Sequence, residues 1–185
     1  MNVVLIGMKH CGKSAIGSGL AQRWGCAFHD VDPMIAAMHA CEHGEQLTVR
    51  QVFDRYGEEY FHRIEGHVVC ELYLKLDRPG SQAVVALGGR TALNSTVCGL
   101  LRAIGLIVYL WVPPAVVFKR IERSGLPSFL AGDDPEARFM ELYREREPQY
   151  RAIAQVTVEL DGKGSVDGSV DRLISSIEEH QHGRQ

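Results

Sequence analysis

No stretch of this 185-residue sequence is long and apolar enough for a membrane span or the core of a signal peptide. The opening run Val3-Val4-Leu5-Ile6 stops at Gly7, whereas a span needs ~20 apolar residues. No Cys-x-x-Cys pair occurs either. The five cysteines, Cys11, Cys26, Cys41, Cys70 and Cys98, are odd in number and far apart. That spacing speaks against a zinc site or a redox dithiol and predicts free thiols in a reducing compartment. Basic runs are missing too: 20 Lys and Arg are interleaved with 23 Asp and Glu, for a net charge of -3, so no nucleic-acid partner is expected. There is no repeat, low-complexity segment or linker at which to cut the chain. Residues 1–185 therefore read as one domain, cytoplasmic, without a membrane partner, and compatible with a monomer.

What is present is an alternation of short apolar runs with amphipathic segments. Val3 to Ile6, Cys26 to Val31, Ala83 to Leu87, Leu106 to Val112 and Val156 to Leu160 read as strands, several of them apolar throughout as in a sheet buried on both faces. Lys13 to Trp24 reads as a helix with Ile16, Leu20 and Trp24 on one face. Ile35 to Gly66 is helical in character, and a further helix is predicted from Phe61 to Leu76. Helices are also predicted from Pro113-Pro114 through Ile121, from Glu136 to Ala154 with a kink at Pro148, and from Val170 to Glu179. Ser124 to Pro135, with Gly125, Pro127, Gly132 and Pro135, reads as a mobile loop, and the tail His180 to Gln185 as frayed. Strands separated by helices imply an α/β sheet with helices on both faces.

Chemistry enters with Gly7-Met8-Lys9-His10-Cys11-Gly12-Lys13-Ser14, a G-x-x-x-x-G-K-S phosphate loop that directly follows a strand and opens a helix. Glycines let successive backbone N–H groups turn inward on a polyphosphate, and the positive end of the following helix adds to that field. Lys13 is placed to reach the β- and γ-phosphates, and Ser14 to present its hydroxyl to Mg²⁺. The stretch assigned to ATP is Gly7, His10, Cys11, Gly12, Lys13, Ser14 and Ala15. Within it the side chains of His10 and Cys11 occupy tolerant positions, His10 reading as solvent-facing and Cys11 as filler.

The order of motifs resembles the shikimate kinase family over nearly the whole chain. After the phosphate loop come Phe28-His29-Asp30-Val31-Asp32, Gly57-Glu58-x-x-Phe61-x-Arg63-Ile64-Glu65 and Leu87-Gly88-Gly89, then Leu130-Ala131-Gly132 and Arg146-x-Pro148-x-Tyr150. The resemblance implies a three-layer α/β/α P-loop kinase fold with a five-stranded parallel sheet, an acceptor-binding helical insertion at 33–62 and a lid at 124–135. It also implies transfer of the ATP γ-phosphate to the 3-hydroxyl of shikimate, with Mg²⁺. By the same resemblance Asp30 supports the metal, Asp32 binds acceptor hydroxyls and takes the proton, and Arg146 pairs with the acceptor carboxylate. Gly88 and Gly89 line the acceptor, and Arg120 packs on the adenine. Local readings of the same residues stay open: Asp30-x-Asp32-Pro33 also caps a helix, the glycines also suit a plain turn, and Arg120 and Arg146 also suit a surface.

Three departures fall on the acceptor and lid side. His62 stands where the family has an arginine for the acceptor carboxylate, Arg90 where it has a third glycine, and Pro127 where it has the lid arginine. Arg90 is the expected replacement for the missing guanidinium. Arg123 and Arg138 are both candidates for the lid cation. The same departures also suit a kinase of this fold acting on a sugar acid or a nucleotide, or a nucleotide-binding paralogue with impaired catalysis.

Overall fold

Four-residue runs of branched aliphatics can be hidden completely only between two layers, and the structure places them there. The structure, a computed structural model, describes residues 1–183 apart from the side chains of Ser95 and Ser128. Strands β1 (Val3–Ile6), β2 (Ala27–Asp30), β3 (Ala83–Ala86), β4 (Leu106–Trp111) and β5 (Val156–Glu159) form one parallel sheet in the order β2-β3-β1-β4-β5. Every residue of β1 and β3 is buried, whereas β2, on an edge, is half-exposed. Helix α1 (Lys13–Trp24) ends at Gly25, whose φ of 62 closes it. It is followed by α2 (Val31–His43), α3 (Val49–Leu76), α4 (Ser95–Ile104), α5 (Pro114–Ser124), α6 (Pro135–Ile153) and α7 (Val166–His182).

Connections from β1 and β3 leave in opposite directions, β1 feeding β2 on one side and β3 feeding β4 on the other. The crevice between their carboxyl ends is therefore the switch point where open parallel sheets bind ligands. The loop after β1 holds Gly7 to Gly12, and the loop after β3 holds Leu87 to Arg90.

Several expectations are corrected. The second strand stops at Asp30 because the Asp30 carboxylate accepts from the Asp32 N–H at 3.2 Å and starts α2 there. The helix expected from Phe61 begins at Val49, where Thr48 and Gln51 form a capping box. It continues across a break at Gly57, whose φ of 79 and ψ of -179 are not helical. Helix α4 was not foreseen. Asn94 caps it by accepting from Thr96 N–H at 3.1 Å, and Val97, Leu101 and Ile104 form its buried face. Helix α6 passes through Pro148 as one element, held by buried Tyr143 and Tyr150 on either side. Helix α7 reaches His182, so the expected frayed tail is helical over its first residues; positions 184–185 lie outside the described residues. The 124–135 segment contains a turn of 3-10 helix, Ser128–Leu130, with Leu130 buried. All five cysteines are free. No helix among the described residues is long and apolar enough to cross a membrane.

Candidate functional site

The phosphate loop needs backbone that ordinary residues resist. Gly7 has φ 142, and a Cβ there would stand 2.7 Å from the Leu110 carbonyl oxygen, so any side chain would push the loop off β4. Gly12, at φ 107, turns the chain into α1, and His10 is held at φ 66 at the loop's apex. Lys13 is 7% exposed and folded back on its own loop, its ammonium donating to the carbonyls of Gly7 and Met8 at 2.9 Å each, with the Cys11 sulfur 3.8 Å away. These neutral acceptors hold the cation over the cradle until a better anion replaces them. Ser14 and Ala15 are exposed at the mouth of the loop.

His10 is half-buried rather than solvent-facing. Its Nε2 lies 3.3 Å from the Ser124 hydroxyl, and burial, followed by Lys9, Lys13 and Arg120, lowers its pKa. Arg120 spans the far side of the cradle, donating to the carbonyls of His10 at 3.1 Å and Gly162 at 2.7 Å. It thus ties the loop to the connection between β5 and α7, beside the cradle. Cys11 is buried.

Across the crevice, Asp32 sits in the first turn of α2. Burial raises its pKa, Lys13 and Lys9 pull it down, and Asp30 adds to the rise. A carboxylate made more basic in this way suits proton acceptance. A Cβ on Gly88 would stand 2.6 Å from Asp32 Oδ1 and 2.9 Å from Thr91 Oγ1, so the two groups close on this glycine. Tyr150, fully buried and tilted against Tyr109 with ring centroids 5.3 Å apart, donates its hydroxyl to the Gly89 carbonyl and holds that loop.

Arg90 pairs with Glu58 and lies over the Phe53 ring, its guanidinium carbon 5.4 Å from the centroid. His62 shares the same carboxylate, with Nε2 3.7 Å from Glu58 Oε1. Arg146, partly buried, has its pKa lowered by burial first, raised by Tyr150, and lowered again by Arg90. Arg146 forms no ion pair among the described residues; the neighbouring Glu147 is taken by Arg151. Two guanidiniums whose charges oppose each other, one of them without a carboxylate partner among the described residues, can hold an anionic group. Arg63, by contrast, turns outward to Glu42 at 3.5 Å.

The structure thus brings Lys13, Asp32, Gly88, Gly89, Arg90 and Arg146 to one crevice, with His62 at its edge. Of the lid candidates, Arg138 donates to the Ala131 carbonyl within the lid, and Arg123 is exposed at the end of α5. Sequence reasoning missed Lys9, Phe53, Glu58, Thr91 and Tyr150 as contributors. Lys9, Glu58 and Tyr150 lie inside the quoted motifs, which was the available signal, whereas Phe53 and Thr91 need the fold.

Against known proteins, the family model described as shikimate kinase matches residues 9–178. A shikimate kinase of Halorhodospira halophila is 34% identical over 95% of this chain and 93% of its own length. One from Caldanaerobacter subterraneus subsp. tengcongensis is 33% identical over 88% of each chain. The solved structure of a shikimate kinase from Acinetobacter baumannii in complex with shikimate superposes with a TM-score of 0.81 at 28% identity, covering 96% of this chain and 93% of that one.

Proposed function

Because the chain belongs to the shikimate kinase family, we propose that it transfers the ATP γ-phosphate to the 3-hydroxyl of shikimate in the crevice between the loops after β1 and β3. The supporting observation is the loop after β3, which packs Gly88 on the half-buried Asp32 carboxylate and carries Arg90, whose charge bears on Arg146. That arrangement complements a small acid that also carries hydroxyls. Arg146 and Arg90 hold the carboxylate, Asp32 orients the hydroxyl and receives its proton, and the Gly88-Gly89 backbone admits the ring. Arg90 thereby takes over from the arginine that His62 replaces.

On the donor side, Lys13 exchanges its loop carbonyls for phosphate oxygens, and the amides of Gly7 through Ala15 line the polyphosphate. Arg120 frames the base. The oxygen donors at the mouth, the Ser14 hydroxyl and the Asp30 carboxylate, fit Mg²⁺. Among the described residues no cluster of three or more His, Cys, Asp or Glu side chains could cage a metal alone, and a magnesium ion carried by nucleotide phosphates needs only one or two such protein ligands. When bound, the ion would neutralise phosphate charge. The chain acts as a single unit, with residues 33–62 as the acceptor-binding insertion and 124–135 as the lid.

Calorimetric titration of shikimate with and without ADP and Mg²⁺, followed by a coupled ADP-release assay, tests this reading. Binding that tightens with nucleotide, and turnover with shikimate, are expected. Turnover with gluconate and none with shikimate would replace the acceptor.

A further inference from the structure

A phosphoryl group in transit carries negative charge on three oxygens, and a cation that reaches it there contributes far more to rate than to binding. In the resemblance drawn above, that cation is an arginine of the lid, where this chain has Pro127. Of the cations around the lid, Arg123 is exposed at the end of α5 and two others are already committed. Arg138 is committed to the Ala131 carbonyl, and Arg50 donates to the Leu126 carbonyl at 3.3 Å while approaching Asp54 at 3.8 Å.

Lys9 lies elsewhere, on the donor loop itself, at the wall shared with the acceptor loop. A Cβ built on Gly89 would stand 3.2 Å from the Lys9 backbone nitrogen, 3.6 Å from its Cβ and 3.8 Å from its Cα. Gly88, next in the same loop, packs on the Asp32 carboxylate. Lys9 is exposed and forms no ion pair among the described residues.

We propose that Lys9 supplies the second cation on the transferred phosphoryl group, bridging donor and acceptor in place of a lid arginine. The inference rests on the kinase reading of the site. In the step, a lone pair of the acceptor hydroxyl oxygen forms the new O–P bond. The bond from the γ-phosphorus to the β,γ-bridging oxygen breaks, its electron pair leaving on ADP, and the hydroxyl proton passes to Asp32. Lys9 stays an ammonium throughout and only follows the charge. An ammonium is a compact point charge, which suits a phosphoryl group whose charge is spread over several oxygens.

Lys9→Met, Lys9→Arg and Arg138→Met test it. For Lys9→Met, kcat with shikimate falls ~100-fold, while both KM values stay within about threefold. Lys9→Arg recovers activity to within about tenfold of wild type, because the charge is kept. In Lys9→Met, affinity for ADP with aluminium fluoride falls by about the same ~100-fold as kcat, and ADP alone binds as before. A Lys9→Met enzyme with near-wild-type kcat, a loss confined to the KM for ATP, or a kcat loss found in Arg138→Met instead would overturn the proposal. Wild-type protein that fails to phosphorylate shikimate would overturn the acceptor assignment only. The aluminium fluoride measurement without acceptor would then still decide the role of Lys9.

Discussion

Glu65 is the residue whose replacement tests the electrostatics of the crevice most directly. It lies on α3 at 1% exposure, its Oε1 accepting the Thr91 hydroxyl at 2.7 Å, while its Oε2 has no partner among the described residues. Burial raises its pKa from 4.5 to about 7; Thr91 and Asn94 pull it back, Asp32 adds to the rise, and Arg90 opposes it. A carboxyl whose folded pKa is raised stabilises the fold most while protonated in both states. That contribution is lost as pH climbs from the unfolded pKa through the folded one. Between pH 5 and 8 the loss is about 2.5 kcal/mol, at ~1.4 kcal/mol per pKa unit. Glu65→Gln keeps an acceptor for Thr91 and removes the ionisation. Urea unfolding of both proteins at several pH values should show the variant gaining on wild type as pH rises, by about 2.5 kcal/mol over that window, equivalent to roughly 5–10 °C in Tm. Titrating groups remote from Glu65 cancel in the difference, whereas its neighbour Asp32 adds to it. A gap that is flat within about 0.5 kcal/mol, or that closes as pH rises, would show that Glu65 ionises without penalty and that this wall of the site is wetter than its burial implies.

Arg90→Ala should weaken shikimate binding by ~10- to 100-fold, the worth of one charge-assisted contact, with ATP affinity unchanged. Unaltered acceptor affinity by calorimetry would remove Arg90 from the pocket. Gly88→Ala places a methyl 2.6 Å from Asp32 Oδ1. Its expected result is at least ~10-fold lower kcat/KM for shikimate in a protein whose melting temperature is little changed, because the displaced group is catalytic rather than core. Near-wild-type kinetics would show that Asp32 does not hold the reacting hydroxyl. Lys13→Met should abolish turnover and weaken ATP much more than shikimate; retained ATP affinity would sink the phosphate-loop assignment.

The sheet and the cradle were legible because both are local. A run such as Val3 to Ile6 announces a two-face-buried strand by itself, and Gly7 to Ser14 carries its turn, its dipole and its ammonium within eight consecutive residues. Helix α4 was overlooked although Val97, Leu101 and Ile104 stand at helical spacing, because the element is only 10 residues long and Thr96 and Gly99 within it are weak helix formers. The extent of α3 was misjudged because the break at Gly57 splits one element into two patterns. The acceptor side was visible only as isolated letters. His62, Arg90 and Pro127 could be seen to depart from the family, but the sequence could not say what each one touches.

Tertiary structure decided those partnerships, since each joins residues distant in sequence. Arg90 finds Glu58 and Phe53, Thr91 finds Glu65, Tyr150 finds Gly89, and Lys9 comes to rest on Gly89. The physical reason is range. Backbone conformation and hydrophobic periodicity act over one or two turns of chain and can be read in order. Charge and desolvation act through space, and their sign at Asp32, Glu65 and Arg146 depends on which groups the folded sheet sets beside them.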